Sequence, residues 1–80
     1  MMLKVVTTEK AVKLIDSENT LLFEADMRAK KDQIKEEIEK TFDIKIDKIR
    51  SHIRNNKKFV YVRLNKSNLA IDIATKLGMI

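Results

Sequence analysis

The sequence predicts an α+β domain, a small four-stranded and mainly antiparallel sheet with packed helices, in the order β-α-β-α-β-β-α. Three observations predict it. Short apolar runs with period two recur along the chain, at 20 to 25 and 59 to 64. Between them, apolar residues recur at helical spacing, with Ile34 and Ile38 the clearest pair. Two asparagines, Asn55 and Asn56, separate the last two strand patterns and mark a tight hairpin.

The first strand is "LKVV", residues 3 to 6. Thr7 or Thr8 caps the following helix, about 8 to 15, because a Thr hydroxyl accepts from a free amide of the first turn. That helix carries Ala11, Val12, Leu14 and Ile15, and Ser17 or Asn19 turns the chain after it. "TLLFEA", 20 to 25, is a strand with Leu21, Phe23 and Ala25 on one face. A helix from about 30 to 42 brings Ile34, Ile38, Thr41 and Phe42 into one narrow arc. Asp32 suits the positive end of its dipole, and Glu36 with Lys40 forms an i,i+4 pair.

"IKIDKIRSHI", 44 to 53, is a strand with a fault in its period. Ile44 and Ile46 have one parity, and Ile49 and Ile53 the other. One extra residue near Asp47 and Lys48, a β-bulge, returns all four to one buried face. "FVYVRL", 59 to 64, comes back antiparallel with Val60, Val62 and Leu64 on one face. The last helix starts near Ser67 or Asn68 and buries Leu69, Ile73 and Leu77, with Gly78 as its C′ residue.

Eighty residues with one glycine and no proline read as a single domain, 1–80, without a linker. The absence of cysteine excludes a disulfide framework, a thiolate metal site and a thiol nucleophile. No apolar run is long enough for a membrane span, and the N-terminus lacks a secretory h-region, so the expectation is a cytoplasmic protein with no membrane insertion. The net charge of +5 points to an anionic partner, nucleic acid above all.

That charge is unevenly placed. The stretch "IRSHIRNNKKFVYVRLNK" holds six Lys or Arg and no acid. The hairpin gathers Arg50, Arg54, Lys57, Lys58, Arg63 and Lys66. A second basic cluster, Arg28, Lys30 and Lys31, stands where a strand hands over to the long helix. That helix is acidic, with five acids against two lysines from 32 to 43. Segregated positive charge suits a phosphate backbone, whose neutralisation releases counterions. His52, Phe59 and Tyr61 are interleaved with the cations and have the chemistry to stack on unpaired bases. The other reading is that the cations guard a sheet edge and the aromatics pack under a helix.

The run from Thr7 to Ser51 resembles the universal large-subunit ribosomal protein family twenty-three. The resemblance is carried by Thr-Glu-Lys-Ala at 8 to 11, by Asn19 before a Phe-bearing strand, by "RAKKDQIKEEIEKTF", and by the faulted "IKIDKI" strand. "AIDIATKLGMI" is similar to the archaeal and eukaryotic branch. The resemblance implies a non-enzymatic ribosomal protein, bound to large-subunit ribosomal RNA at the rim of the polypeptide exit tunnel. It implies neighbouring ribosomal proteins there, and a shared docking platform for the signal recognition particle and the protein-conducting channel. It makes Lys10 and Lys31 candidate RNA contacts, Lys10 reading equally as a solvated helix residue. It makes Glu9 a candidate for protein docking, although an acid there also complements the helix dipole.

The chain departs from the family pattern in three places. Arg50 and Ser51 stand where many relatives have Asn-Thr. Lys30 stands at a capping position and cannot cap. The hairpin turn is only "RNNKK", too short to reach into the tunnel.

The candidate RNA-binding residues are therefore Lys10, Arg28, Lys30, Lys31, Arg50, His52, Arg54, Lys57, Lys58 and Arg63, with no cofactor and no metal. Three other classes remain on the residues alone. An enzyme would have to use His52, the single histidine, or the Glu24 and Asp26 pair; neither has further ligands or a phosphate loop beside it. A free-standing single-strand RNA binder needs more aromatics than "KKFVYVRL" offers. A pure protein adaptor fits the positive charge poorly.

Overall fold

The structure, a computed structural model, describes residues 3–77. Its elements run β1 (Leu3–Val5), α1 (Glu9–Glu18), β2 (Thr20–Ala25), α2 (Lys31–Phe42), β3 (Ile46–Arg54), β4 (Lys57–Leu64) and α3 (Ala70–Lys76). The four strands form one sheet in the order β1-β2-β4-β3, and every neighbouring pair is antiparallel. The expected class and element order are both present.

Most of the core lies on one face of this sheet, although Thr20 and Leu22 of β2 are also buried on the other. Leu21, Phe23 and Ala25 of β2 face Val62, Val60 and Lys58 of β4. Ile15, Ile34, Ile38, Ala70, Ile73 and Ala74 bring all three helices onto that layer. Burying each of these isoleucines contributes about 1.5–3 kcal/mol, so they hold the helices to the sheet.

Thr8 is the cap of α1, and its Oγ1 accepts from the Ala11 amide at 3.2 Å. The helix runs three residues beyond the expected end because Asp16, Ser17 and Glu18 form its solvated face rather than a turn. It stops at Asn19, whose φ of 51° is left-handed. Asn tolerates that region better than most residues.

The fault in β3 is a bulge. Ile46 pairs with Leu64 and Lys48 with Arg63, which leaves Asp47 as the extra residue. Ile44 and Ile46 are buried, but Ile44 precedes the strand. Beyond the bulge the expected burial fades. Ile49 is half-buried, while Ile53 is 58% exposed, because the hairpin end projects past the helical layer. Asn55 and Asn56 have φ of 51° and 62°, the two-residue hairpin turn that positive φ at both positions requires.

Two further expectations are corrected. Leu69 is not buried; it is the extended residue before α3 and is 55% exposed. Thr41 is exposed, so the buried arc of α2 narrows to Ile34 and Ile38, with Phe42 packed at its end. Gly78 lies outside the described residues.

Candidate nucleic-acid interface

The alternation that buries Val60 and Val62 turns Lys57, Phe59, Tyr61 and Arg63 to the opposite face. The bulge gives β3 the matching parity. Lys48 stands opposite Arg63, Arg50 opposite Tyr61, His52 opposite Phe59 and Arg54 opposite Lys57. On the other side of β4, Thr20, Leu22 and Glu24 of β2 face Arg63, Tyr61 and Phe59. The open face is thus a basic lattice laid around two aromatic rings.

Two of these facing pairs, Lys48 with Arg63 and Arg54 with Lys57, are like charges across a ladder. Such pairs destabilise an isolated sheet. Phosphate groups placed between them would reverse the sign of that interaction. The carboxylate of Glu24 offsets the charge at one end, 3.8 Å from the Lys57 ammonium. Lys57 is 60% exposed, so this ion pair adds little stability.

Helix α1 gives the face a wall. Ile15 joins the core, whereas Lys10, Leu14 and Glu18, spaced four apart, form one stripe beside the sheet. Between that stripe and β3–β4 lies a groove of about 500 Å³, reached by Arg50, His52, Tyr61 and Arg63. A second hollow of about 370 Å³ continues along Leu22, Phe59 and Lys57. Lys10, His52, Arg54 and Tyr61 border both, so the two make one trough.

The structure separates the sequence candidates into two groups. Lys10, Arg50, His52, Arg54, Lys57 and Arg63 come together at the trough. Lys58 has the parity of Val60, and its Nζ donates to the Ala29 carbonyl on the helix-covered side. Arg28 and Lys30 belong to that same β2–α2 connection and Lys31 opens α2; Lys58 braces this segment and the open face does not include it. Lys66 is exposed in the turn after β4. Glu9 is exposed in the first turn of α1. Phe59 and Tyr61 lie outside the main core; both are half-buried on the open face, Tyr61 beside Lys10, Leu14 and Glu18 of α1.

Sequence reasoning missed Lys48 and the Glu18 end of the wall. Counting back by two from Arg50 finds Lys48, once the bulge is placed before it. Counting forward by four from Lys10 finds Leu14 and Glu18. As for a metal, among the described residues no group of three His, Asp or Glu side chains is gathered to hold one. Asp26 instead accepts the Arg28 amide at 2.9 Å, and Glu24 faces Lys57.

A family model described as ribosomal protein L23 matches residues 1–73. The chain is similar to the large ribosomal subunit protein uL23 of Pyrobaculum aerophilum, 39% identical over 82 residues and covering 100% of both chains. It is also similar to the protein of that name in Trypanosoma brucei brucei, 42% identical over 76 residues. That match covers 94% of this chain and 46% of the trypanosome protein.

Proposed function

The chain belongs to the ribosomal protein L23 family, and on that premise we propose that it is a structural protein of the large ribosomal subunit that holds ribosomal RNA on its open sheet face. The observation that carries this reading is the lattice of Lys48, Arg50, Arg54, Lys57 and Arg63 around Tyr61 and Phe59. An isolated protein has no stabilising use for like charges in register. A protein assembled on a polyanion does, because each phosphate neutralised releases counterions and strengthens binding.

The role is one of position rather than catalysis. By its family resemblance the protein sits at the rim of the polypeptide exit tunnel in cytoplasmic ribosomes, among neighbouring ribosomal proteins. The short turn at Asn55 and Asn56 keeps the hairpin out of the tunnel interior. The surface away from the RNA, with Glu9 at the start of α1, belongs to the docking platform for the signal recognition particle and the protein-conducting channel.

The test is co-sedimentation of tagged protein with ribosomal subunits through a series of salt washes. Retention on the large subunit, lost at lower salt for Arg54→Glu with Arg63→Glu, is the expected result. A folded protein that stays in the soluble fraction at every salt concentration overturns the ribosomal role. Retention that the double variant leaves unchanged overturns the open face as the RNA side.

A further inference from the structure

We propose, resting on the RNA reading above, that the trough on the open face takes an unpaired stretch of RNA, with one base stacked on Tyr61. Three features of the trough carry this.

The first is where the rings point. The core is complete without Phe59 and Tyr61, since Val60, Val62 and Leu64 fill the buried face of β4. Both rings instead form the floor of a trough whose rim is cationic. An aromatic face set among cations is the arrangement that binds bases by stacking and phosphates by charge.

The second is spacing. Phe59 and Tyr61 are two residues apart on one strand, a separation of about 6.6–6.8 Å. That is roughly twice the 3.4 Å rise between stacked bases in a duplex strand. A strand that touches both rings with successive bases has therefore lost its own stacking, which a paired helix does not permit.

The third is the wall. Helix α1 closes one side of the groove, so the surface is concave where a duplex would need an open flank. Glu18 stands in that wall. Its carboxylate repels phosphate and accepts from an exocyclic amino group of a base. Arg50, opposite Tyr61 on β3, and Arg63, two residues along β4, are left for the backbone. The groove's volume of about 500 Å³ lies within the range of small-ligand sites, enough for a nucleotide.

The protein carries its own reporter. Tyr61 is the single tyrosine and there is no tryptophan, so tyrosine emission reads this one position. The experiment titrates the full chain at low salt with a labelled single-stranded RNA of ten mixed nucleotides, and separately with the duplex of the same sequence. Label anisotropy reports binding and tyrosine emission reports stacking. The expected result is that the single strand quenches Tyr61 and the duplex does not. Tyr61→Leu then weakens single-strand binding about tenfold, while Tyr61→Phe holds it close to the parent. Circular dichroism checks that both variants fold. Binding of the single strand without quenching, or equal quenching by the duplex, overturns the stacking and leaves the RNA reading standing. Failure of both RNAs to bind at low salt overturns both.

Discussion

Asn19 and Ala70, 51 residues apart, meet through a 2.6 Å hydrogen bond from the Ala70 amide to the Asn19 side-chain oxygen. The same Asn19 amide group donates to the carbonyls of Asn68 at 2.8 Å and Leu64 at 3.4 Å. Its own backbone takes the left-handed turn that ends α1. One side chain therefore ties the end of α1 to the end of β4 and the start of α3. Asn19→Ala removes all three bonds and places a Cβ residue less suited to positive φ, so unfolding stability should fall by about 2–4 kcal/mol. Asn19→Gly keeps the turn and loses only the bonds, so it should fall by less. Urea denaturation of the two variants separates these contributions; equal losses would show that the turn geometry contributes nothing.

The isoleucines of α2 and β3 should divide by position, not by residue type. Ile38 is 1% exposed beneath the sheet, and Ile38→Ala should cost about 2–5 kcal/mol through lost transfer energy and the cavity left behind. Ile53 lies on the same side of the sheet but beyond the helices, and Ile53→Ser should change stability by no more than about 0.5 kcal/mol. Thermal or urea unfolding checks both. A large loss at Ile53 would mean that the hairpin end is covered in solution.

These two cases also mark what was legible before the structure. The element order, the bulge near Asp47 and the hairpin turn follow from period and turn chemistry, which act within a few residues. The cationic residues of the trough other than Lys48 were legible from the hairpin, and alternation then decides which face Arg50 and Arg63 take. What was not legible depends on distant partners. Ile53 carries the same apolar signal as Ile49, and only the reach of the helical layer distinguishes them. Lys58 reads as one more cation of the hairpin until the Ala29 carbonyl is seen beside it. Asn19 reads as an ordinary turn residue, because its bonds to Leu64, Asn68 and Ala70 leave no local trace.

Lys30 precedes α2 in an extended conformation and has no acceptor to offer the first-turn amides. Half of a capping box is already in place, since the Lys30 amide donates to Gln33 Oε1 at 3.4 Å. Lys30→Ser supplies the other half, a hydroxyl that accepts from the Gln33 amide. The isolated protein should gain about 1 kcal/mol, seen as a higher urea midpoint at unchanged slope. No gain would mean that the helix start is held by contacts other than its cap.

The two faces of β4 should give opposite phenotypes when single cations are removed. Arg63 is exposed in the trough, opposite Lys48 and two residues along β4 from Tyr61, on the face proposed to hold RNA. Arg63→Gln relieves a like-charge pair, so the free protein should be as stable as the parent or slightly more so. Its binding to ribosomal RNA should weaken, and the slope of log affinity against log salt should shrink by about 1, the signature of one lost phosphate contact. Lys58 donates to a backbone carbonyl on the other side, and Lys58→Met leaves that acceptor without its partner. The free protein should lose roughly 1–3 kcal/mol, while the salt slope stays that of the parent. Denaturation and filter binding on the same two variants read out both quantities. A reduced slope for Lys58→Met would return Lys58, and with it the Arg28, Lys30 and Lys31 cluster, to the RNA-binding surface.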